Sequence, residues 1–323
     1  MKVIINCQEY PDFEFEKKIL SVELPGVEIA ESRTMDQAEF IRVARGAVVA
    51  MVQYISITPR VIDALPECRG YIRNGVGYNN IDTLHAARRG KFVANVPDYC
   101  IDEVSNHALA MMLALNRRLR QSMQLVQADA YQFEKVCPVI RLADSTLGIV
   151  GLGRIGKALA AKARALVRRI VYYDPYVDTH AFAEKFSTLE SLFETADNIS
   201  LHTPLTEETR GMIGAALLHR IKPHGNLVNT SRGGIVDEPA LCEMLRSGRP
   251  AGAGMDVFAD EPVSRANPFL QLENVIVTPH NAWYSEGAMR DVKISWTRQA
   301  IQVARGEPPR HNVFNPIPAS IKK

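Results

Sequence analysis

The sequence lacks a long apolar run, a charge excess and paired cysteines, and each absence excludes a class of protein. No apolar stretch approaches the roughly 20 residues of a membrane-spanning helix. Lysine and arginine nearly balance aspartate and glutamate, giving a formal charge of +2 and no basic face for nucleic acid. The five cysteines are odd in number and share no close spacing, which argues against disulfides and a zinc site. We therefore expect a cytoplasmic protein without a bound metal, and with neither membrane nor nucleic acid as a partner.

Short apolar runs alternate with helical patterns through most of the chain, which is typical of parallel α/β architecture. In the first hundred residues we expect strands at 3–6, 27–29, 47–51, 71–73 and 92–94. From residue 147 onward, strand-like runs recur about every 25 residues, as in βαβ units, at 170–173, 199–201, 227–229, 253–257 and 275–278. A length of 323 residues favours two domains.

Two long helical patterns separate or follow these runs. An Ala/Leu/Met-rich pattern over 101–122 predicts a buried helix of about six turns. A last helix is expected at about 285–305, ahead of a proline-rich stretch, 306–323.

The segment "TLGIVGLGRIGKALA" places Gly151, Gly153 and Gly156 in a G-x-G-x-x-G pattern between a predicted strand and a predicted helix. The first glycine suits a tight turn, the second a close approach to a pyrophosphate, and the third helix packing. The next strand ends on Asp174, which is suited to bind ribose hydroxyls and to repel a 2′-phosphate. The pattern predicts an NAD site, although a plain strand-to-helix turn would share its spacing.

Three later strand ends carry residues suited to hydride-transfer chemistry. Arg232 follows one apolar strand, Asp256 and Glu261 follow another, and His280 and Trp283 follow a third. Each alone has an ordinary explanation as a surface, turn or packing residue. Because ligands of open α/β sheets bind at the carboxyl ends of strands, together they predict one site.

Six motifs in order resemble the D-isomer-specific 2-hydroxyacid dehydrogenase family, over nearly the whole chain. They are "NGVGYNNID", "GLGRIG", "LHTPLTEETRGMI", "NTSRGGIVDE", "DVFADEP" and "TPHNAW". The resemblance implies two doubly wound parallel-sheet lobes, with a Rossmann-type NAD-binding domain (100–288) inserted into a flavodoxin-like substrate domain (1–99 and 289–323). It also implies a homodimer formed through the NAD-binding domains, for which 108–119 is apolar enough, although that stretch could equally be core.

The resemblance also assigns roles to individual residues. His280 would be the general acid/base with Glu261 as its partner, and Arg232 would bind the substrate's carboxylate and keto group. Asp256 would bond the nicotinamide carboxamide. Further substrate contacts would come from Arg73, Val76, Gly77 and Trp283. The implied NAD contacts are Gly151, Gly153, Arg154, Ile155, Gly156, Asp174, His202, Thr203, Thr230, Arg232, Asp256 and His280.

The function that follows is NAD-dependent interconversion of a 2-keto acid and a D-2-hydroxy acid. Within the family, "TPHNAWYSE" and "VQYISIT" are most similar to the C-terminal-binding protein branch. That narrower similarity motivates an alternative, a corepressor or scaffold that senses NAD(H).

Overall fold

The computed structural model describes residues 1–314 and contains two β-sheets. Each sheet belongs to a separate unit of the chain. One unit comprises Met1–Tyr99 and the chain from Ser285 onward, and the other is Cys100–Tyr284. The sequence placed the second boundary at residue 289, four positions later. Residues 315–323, the end of the predicted substrate domain, lie outside the described residues.

Strands and helices alternate along the described chain. The strands are β1 (Lys2–Asn6), β2 (Glu28–Ser32), β3 (Ala47–Val52), β4 (Gly70–Arg73), β5 (Phe92–Ala94), β6 (Thr146–Val150), β7 (Arg169–Tyr173), β8 (Glu184–Lys185), β9 (Asn198–Leu201), β10 (Asn226–Asn229), β11 (Gly252–Met255), β12 (Val275–Val277) and β13 (Asn312–Phe314). The helices are α1 (Glu14–Glu23), α2 (Gln37–Ala44), α3 (Pro59–Ala64), α4 (Thr83–Arg88), α5 (Ile101–Asn116), α6 (Leu119–Gln127), α7 (Arg154–Ala163), α8 (Leu189–Thr195), α9 (Ala215–Leu218), α10 (Glu238–Arg246) and α11 (Glu286–Ala304).

The sheet of the first unit has the order β13-β5-β4-β3-β1-β2. Strands β1 to β5 pair in parallel in the flavodoxin-like order, so the predicted class of this lobe is confirmed. Two details differ from the sequence prediction. Strand β2 lies at Glu28–Ser32 rather than 27–29, and β13, a strand not predicted within the proline-rich stretch, pairs antiparallel with β5.

Helix α11 packs on this first sheet through a buried tryptophan. Trp296 is fully buried and its indole N–H donates a hydrogen bond to the Ile72 carbonyl (2.7 Å). The Tyr10 ring meets the indole edge-on, with centroids 6.3 Å apart. The helix begins after Ser285, whose hydroxyl accepts a hydrogen bond from the Ala288 N–H (2.9 Å) and so caps the first turn.

The sheet of the second unit has the order β12-β11-β10-β9-β6-β7-β8, and every neighbouring pair is parallel. This is the Rossmann order: strands are added on one side of β6 (β7, β8) and then on its other side (β9 to β12), so the order of strand addition reverses at β6. Every residue of β6 is buried, as expected for a central strand covered on both faces. The two-residue strand β8 is too short to leave a pattern in the sequence.

The predicted helix over 101–122 is wrong in one respect, because it is two helices. Helix α5 ends at Asn116, Arg118 adopts a left-handed backbone conformation (φ 52°), and α6 begins at Leu119. The apolar side of α5, including Met111 and Leu115, is buried in the core of the second unit. Within residues 1–314, no helix combines the length and apolar character needed to cross a membrane.

A charged cluster joins the amino-terminal ends of β6 and β9. The Asp197 carboxylate accepts hydrogen bonds from the Thr146 N–H (2.7 Å), Lys222 Nζ (2.8 Å) and His224 Nε2 (2.8 Å). Burial alone would raise the pKa of this carboxyl, but these donors hold it below its usual value. The ionised form is therefore the one that the fold stabilises.

Substituting Asp197→Asn should lower the free energy of unfolding at pH 7 by about 1–3 kcal/mol, since charge-assisted hydrogen bonds are lost. A carboxyl whose pKa is lower in the folded state contributes stability above its unfolded pKa and loses it as the pH falls through the folded value. The difference between variant and wild type, measured by urea denaturation, should therefore hold from pH 7 to about pH 5 and shrink as the pH falls below about 4. Asp178→Asn is the control, because that carboxylate is 94% exposed and should cost little.

Candidate active site

The glycine pattern forms a tight turn between β6 and α7, and two of its glycines have no room for a side chain. Gly151 has a positive φ (90°). A Cβ on Gly156 would lie 2.3 Å from the Gly151 carbonyl oxygen, so helix and turn pack backbone to backbone. A Cβ on Gly153 would meet nothing within 4 Å. Gly153 thus faces open space, as a phosphate-approaching position requires.

Helix α7 begins directly after Gly153 and its first turn has no side-chain cap. The N–H groups of Arg154 and Ile155 lie in that turn, ahead of the first helical hydrogen bond, from the Lys157 N–H to the Gly153 carbonyl (3.0 Å). Uncapped N–H groups at a helix start attract anions, phosphates above all.

Asp174, at the end of β7, is tied to this turn. One carboxylate oxygen accepts a hydrogen bond from the Leu152 N–H (2.7 Å) and the other from the Tyr176 N–H (2.8 Å). Each oxygen keeps further acceptor capacity, because a carboxylate offers about four acceptor sites. Asp174 therefore fixes the turn and can still accept from a hydroxyl group.

Polar side chains at the ends of β9 and β10 include groups without a protein partner. The hydroxyl oxygens of Thr203 and Thr230 are buried and form no hydrogen bond within the described residues. A ligand bound at these strand ends would supply the missing partners. Beside them, His202 Nε2 lies 2.9 Å from the Ser200 hydroxyl, and burial lowers the pKa of His202 to about 4, so its imidazole is neutral at pH 7.

Strands β10, β11 and β12 are neighbours, so the loops at their carboxyl ends come together. A Cβ on Gly233 would lie 1.9 Å from the Phe258 carbonyl carbon, so the loop after β10 packs directly on the loop after β11. This close contact brings Arg232 and Glu261 near one another, and the charge of Arg232 contributes to lowering the pKa of Glu261.

His280 and Glu261 form a hydrogen-bonded pair. Nδ1 of the imidazole lies 2.6 Å from Glu261 Oε2, while Oε1 accepts a hydrogen bond from the Phe258 N–H (2.8 Å). Burial would raise the pKa of Glu261, but the bond to His280 and the histidine's charge bring it below its usual value. The carboxylate is therefore ionised and holds one ring nitrogen. Nε2 has no hydrogen-bond partner within the described residues.

The buried carboxylate of Asp256 builds the loop that carries His280. Its oxygens accept hydrogen bonds from the Thr278 hydroxyl (2.5 Å) and from the N–H groups of Asn281 (3.0 Å) and Ala282 (3.1 Å). The His280 N–H donates to the Asp256 carbonyl (2.9 Å), and His280 itself takes a left-handed conformation (φ 53°). The family resemblance implied that Asp256 contacts the nicotinamide carboxamide. In the structure Asp256 also positions the His280 loop.

Three residues that support these loops escaped the sequence analysis. Asn229 clamps the Arg232 loop, accepting from the Ser231 N–H and hydroxyl and donating to the Arg232 carbonyl. Glu238 accepts from the Ala259 N–H (2.6 Å), and burial raises its pKa. His107 on α5 lies 3.1 Å from the Thr278 hydroxyl.

The remaining predicted substrate residues are divided between the units. Trp283 lies in the second unit, and its ring meets that of Tyr284 edge-on (5.6 Å). Arg73, Val76 and Gly77 lie in the first unit, in and after β4. Within the described residues, the N–H groups of Val76 and Gly77 and the Nε of Arg73 have no hydrogen-bond partner.

Comparisons with known proteins place this geometry in context. A family model described as "D-isomer specific 2-hydroxyacid dehydrogenase, NAD binding domain" matches residues 109–282. A glyoxylate reductase of Korarchaeum cryptofilum is 40% identical over 266 residues, covering 78% of each chain. A D-3-phosphoglycerate dehydrogenase of Archaeoglobus fulgidus is 34% identical over 90% of this chain, which spans 56% of that relative. The structure of an Aquifex aeolicus D-lactate dehydrogenase complexed with NAD and lactic acid superposes with a TM-score of 0.83, at 26% identity over 94% of this chain and 96% of that one.

The glycine turn gives a matched pair of variants. Gly153→Ala should leave the thermal midpoint almost unchanged but weaken NADH binding at least about tenfold, since a methyl group would enter the space in front of the helix start. Gly156→Ala should lower the thermal midpoint as well, because its Cβ collides with the Gly151 carbonyl. Fluorescence titration and calorimetry measure both quantities. Unchanged NADH affinity in Gly153→Ala would show that the pyrophosphate binds elsewhere.

Proposed function

The chain belongs to the D-isomer-specific 2-hydroxyacid dehydrogenase family and uses NAD. From that premise we propose that it interconverts a small 2-keto acid and the D-2-hydroxy acid, with His280 and Glu261 as the proton relay and Arg232 as the substrate anchor. The observation that carries the proposal is the 2.6 Å pair of His280 and Glu261, at the same strand ends as the Arg232 loop.

The residues of the second unit suit NAD. The uncapped start of α7 and the open space at Gly153 would receive the pyrophosphate, and Asp174 the adenine ribose. The unpaired hydroxyls of Thr203 and Thr230 are available to the rest of the cofactor. When bound, the reduced cofactor supplies a hydride to the substrate's carbonyl carbon.

His280 would supply the proton that accompanies the hydride. Because Glu261 occupies Nδ1, Nε2 is the nitrogen that can donate to the keto oxygen as it becomes a hydroxyl. In the reverse direction Nε2 accepts the proton from the substrate's hydroxyl. Asp256 would hold the loop so that the imidazole keeps this orientation.

Arg232 would bind the substrate's carboxylate and polarise its keto oxygen. Its guanidinium offers paired donors in one plane, a better match for a carboxylate than a lysine ammonium. From the resemblance we also assign substrate contacts to Arg73, Trp283 and the N–H groups of Val76 and Gly77. The unpaired state of those two N–H groups supports a carboxylate-binding role.

Asp174 supports a preference for NAD over NADP. Its carboxylate is held by two backbone N–H groups, so it cannot easily turn away from a 2′-phosphate. A phosphate there would face a fixed negative charge. Arg168 precedes β7 and Arg169 begins it, so both lie at the other end of that strand from Asp174.

A two-carbon or three-carbon keto acid is the proposed substrate class. A named glyoxylate reductase shares 40% identity over 78% of this chain. The relatives described above are reductases and dehydrogenases by name. The similarity to the C-terminal-binding branch and the corepressor role therefore stay predictions. The cytoplasmic location also stays a prediction.

We propose further that the protein is a homodimer joined through the second unit. Of the predicted stretch 108–119, only the end at Leu119 belongs to the proposed surface, because Ala108, Met111, Met112 and Leu115 lie in the core. That surface is the apolar side of α6. Leu119, Met123 and Val126 are 50%, 63% and 52% exposed and share one face of the helix. A cluster of exposed apolar residues of this kind marks an interface.

Substituting His280→Ala should lower turnover of glyoxylate with NADH by at least about a hundredfold, since the general acid is lost, while NADH binding stays nearly unchanged. In Glu261→Gln the carboxylate that holds Nδ1 is replaced by a neutral amide, so turnover should fall by about tenfold or more. Steady-state kinetics across pH 5–9 measure both effects.

His219→Ala is the matched control, because His219 is an exposed histidine of the same unit and should leave turnover intact. Near-normal turnover in His280→Ala would contradict the proposed relay. Activity with none of a panel of glyoxylate, hydroxypyruvate and pyruvate would instead contradict the substrate class.

The dimer is tested by light scattering. The wild type should have twice the 35.9 kDa mass of the chain, and Met123→Glu with Val126→Glu should give a monomer, because two charges would enter an apolar interface. Val22→Glu, at a 72% exposed position of the first unit, should remain a dimer. A monomeric wild type would exclude the proposal.

A further inference from the structure

The second unit has a surface cavity of about 370 Å³ that the proposed chemistry does not use. Its walls come from the end of α7, the start of β7 and the segment that leads into β8. Arg169 begins β7 and Asp174 follows its other end, so the strand separates the two by roughly 16 Å. The cavity therefore lies at the amino-terminal end of β7, whereas the glycine turn lies at the carboxyl ends of the strands.

Positive charge dominates the wall of this cavity. Arg164, Arg168 and Arg169 line it together with a single carboxylate, Glu184. Arg169 forms an ion pair with Glu184, with its Nη2 2.6 Å and its Nε 3.0 Å from the same carboxylate oxygen. Within the described residues, the other two guanidinium groups have no carboxylate within 4 Å. Two guanidinium groups are thus left to attract an anion.

Aromatic contacts hold part of the wall in place. The Arg164 guanidinium lies over the Phe182 ring, 4.6 Å from its centroid, and the His180 ring meets that ring edge-on at 5.5 Å. The Phe182 N–H donates to His180 Nδ1 (3.3 Å), so a neutral His180 carries its proton on Nε2, a further donor. A stacked arginine loses less freedom when it binds an anion than a solvated one.

We propose that this cavity binds a small molecule carrying several negative charges on phosphate or carboxylate oxygens, at a second ligand site separate from the NAD site. Arg164 and Arg168 grip the oxyanion groups and His180 adds a hydrogen bond. The volume matches that of a small metabolite, and a ligand with one negative charge would leave a guanidinium without a partner.

The test is calorimetric titration of the NADH-saturated protein with inorganic pyrophosphate, citrate and acetate. Pyrophosphate or citrate should bind the wild type at least about tenfold more tightly than acetate, since one charge cannot satisfy both arginines. Binding of pyrophosphate alone identifies a phosphoryl ligand, and binding of citrate alone a polycarboxylate; either supports the proposal.

Arg164→Ala and Arg168→Ala should each weaken that binding about tenfold or more, with thermal midpoint and NADH affinity retained. Arg141→Ala is the matched control, because its side chain is 80% exposed in the same unit and 3.9 Å from Asp144. The proposal is overturned if neither polyanion binds more tightly than acetate, or if the Arg164→Ala/Arg168→Ala double variant binds as the wild type does.

Discussion

One buried carboxylate organises the candidate active site of the second unit. Asp256 is 1% exposed and accepts hydrogen bonds from a hydroxyl and two backbone N–H groups of the next strand-end loop. Those bonds bend the chain into the left-handed conformation of His280. Without them the histidine would lie on an unsupported loop, and its pairing with Glu261 would be one of many side-chain arrangements.

The second constraint is close contact between backbones. Gly156 against the Gly151 carbonyl and Gly233 against Phe258 leave no space for a methyl group. The first contact seats α7 with its uncapped N–H groups at the turn, and the second joins the arginine loop to the glutamate loop. Both contacts position candidate functional residues through the main chain, which is stiffer than any side chain.

Sequence patterns predicted much of this arrangement for identifiable reasons. Buried parallel strands such as β6 need continuous apolar runs, and the glycine turn needs its spacing, so both leave local signals. The family resemblance was confirmed by the comparisons. Features made by tertiary contact left no such signal. Strand β13 exists because β5 offers an edge, and the break at Arg118 depends on how α5 and α6 pack.

The sequence by itself determined the fold class, the cofactor and the residue types at the strand ends, because periodicity and motif spacing are properties of short segments. Only the tertiary structure decided which of those residues meet. It paired His280 with Glu261 and made Asp256 a support for the His280 loop as well as a candidate cofactor contact. It also placed most apolar side chains of 108–119 in the core, one of the two alternatives that the sequence left open. It also gathered Arg164, Arg168 and His180 around one cavity, because strand β8 folds back beside β7. Such meetings depend on distances between segments remote in the chain, which no local pattern encodes.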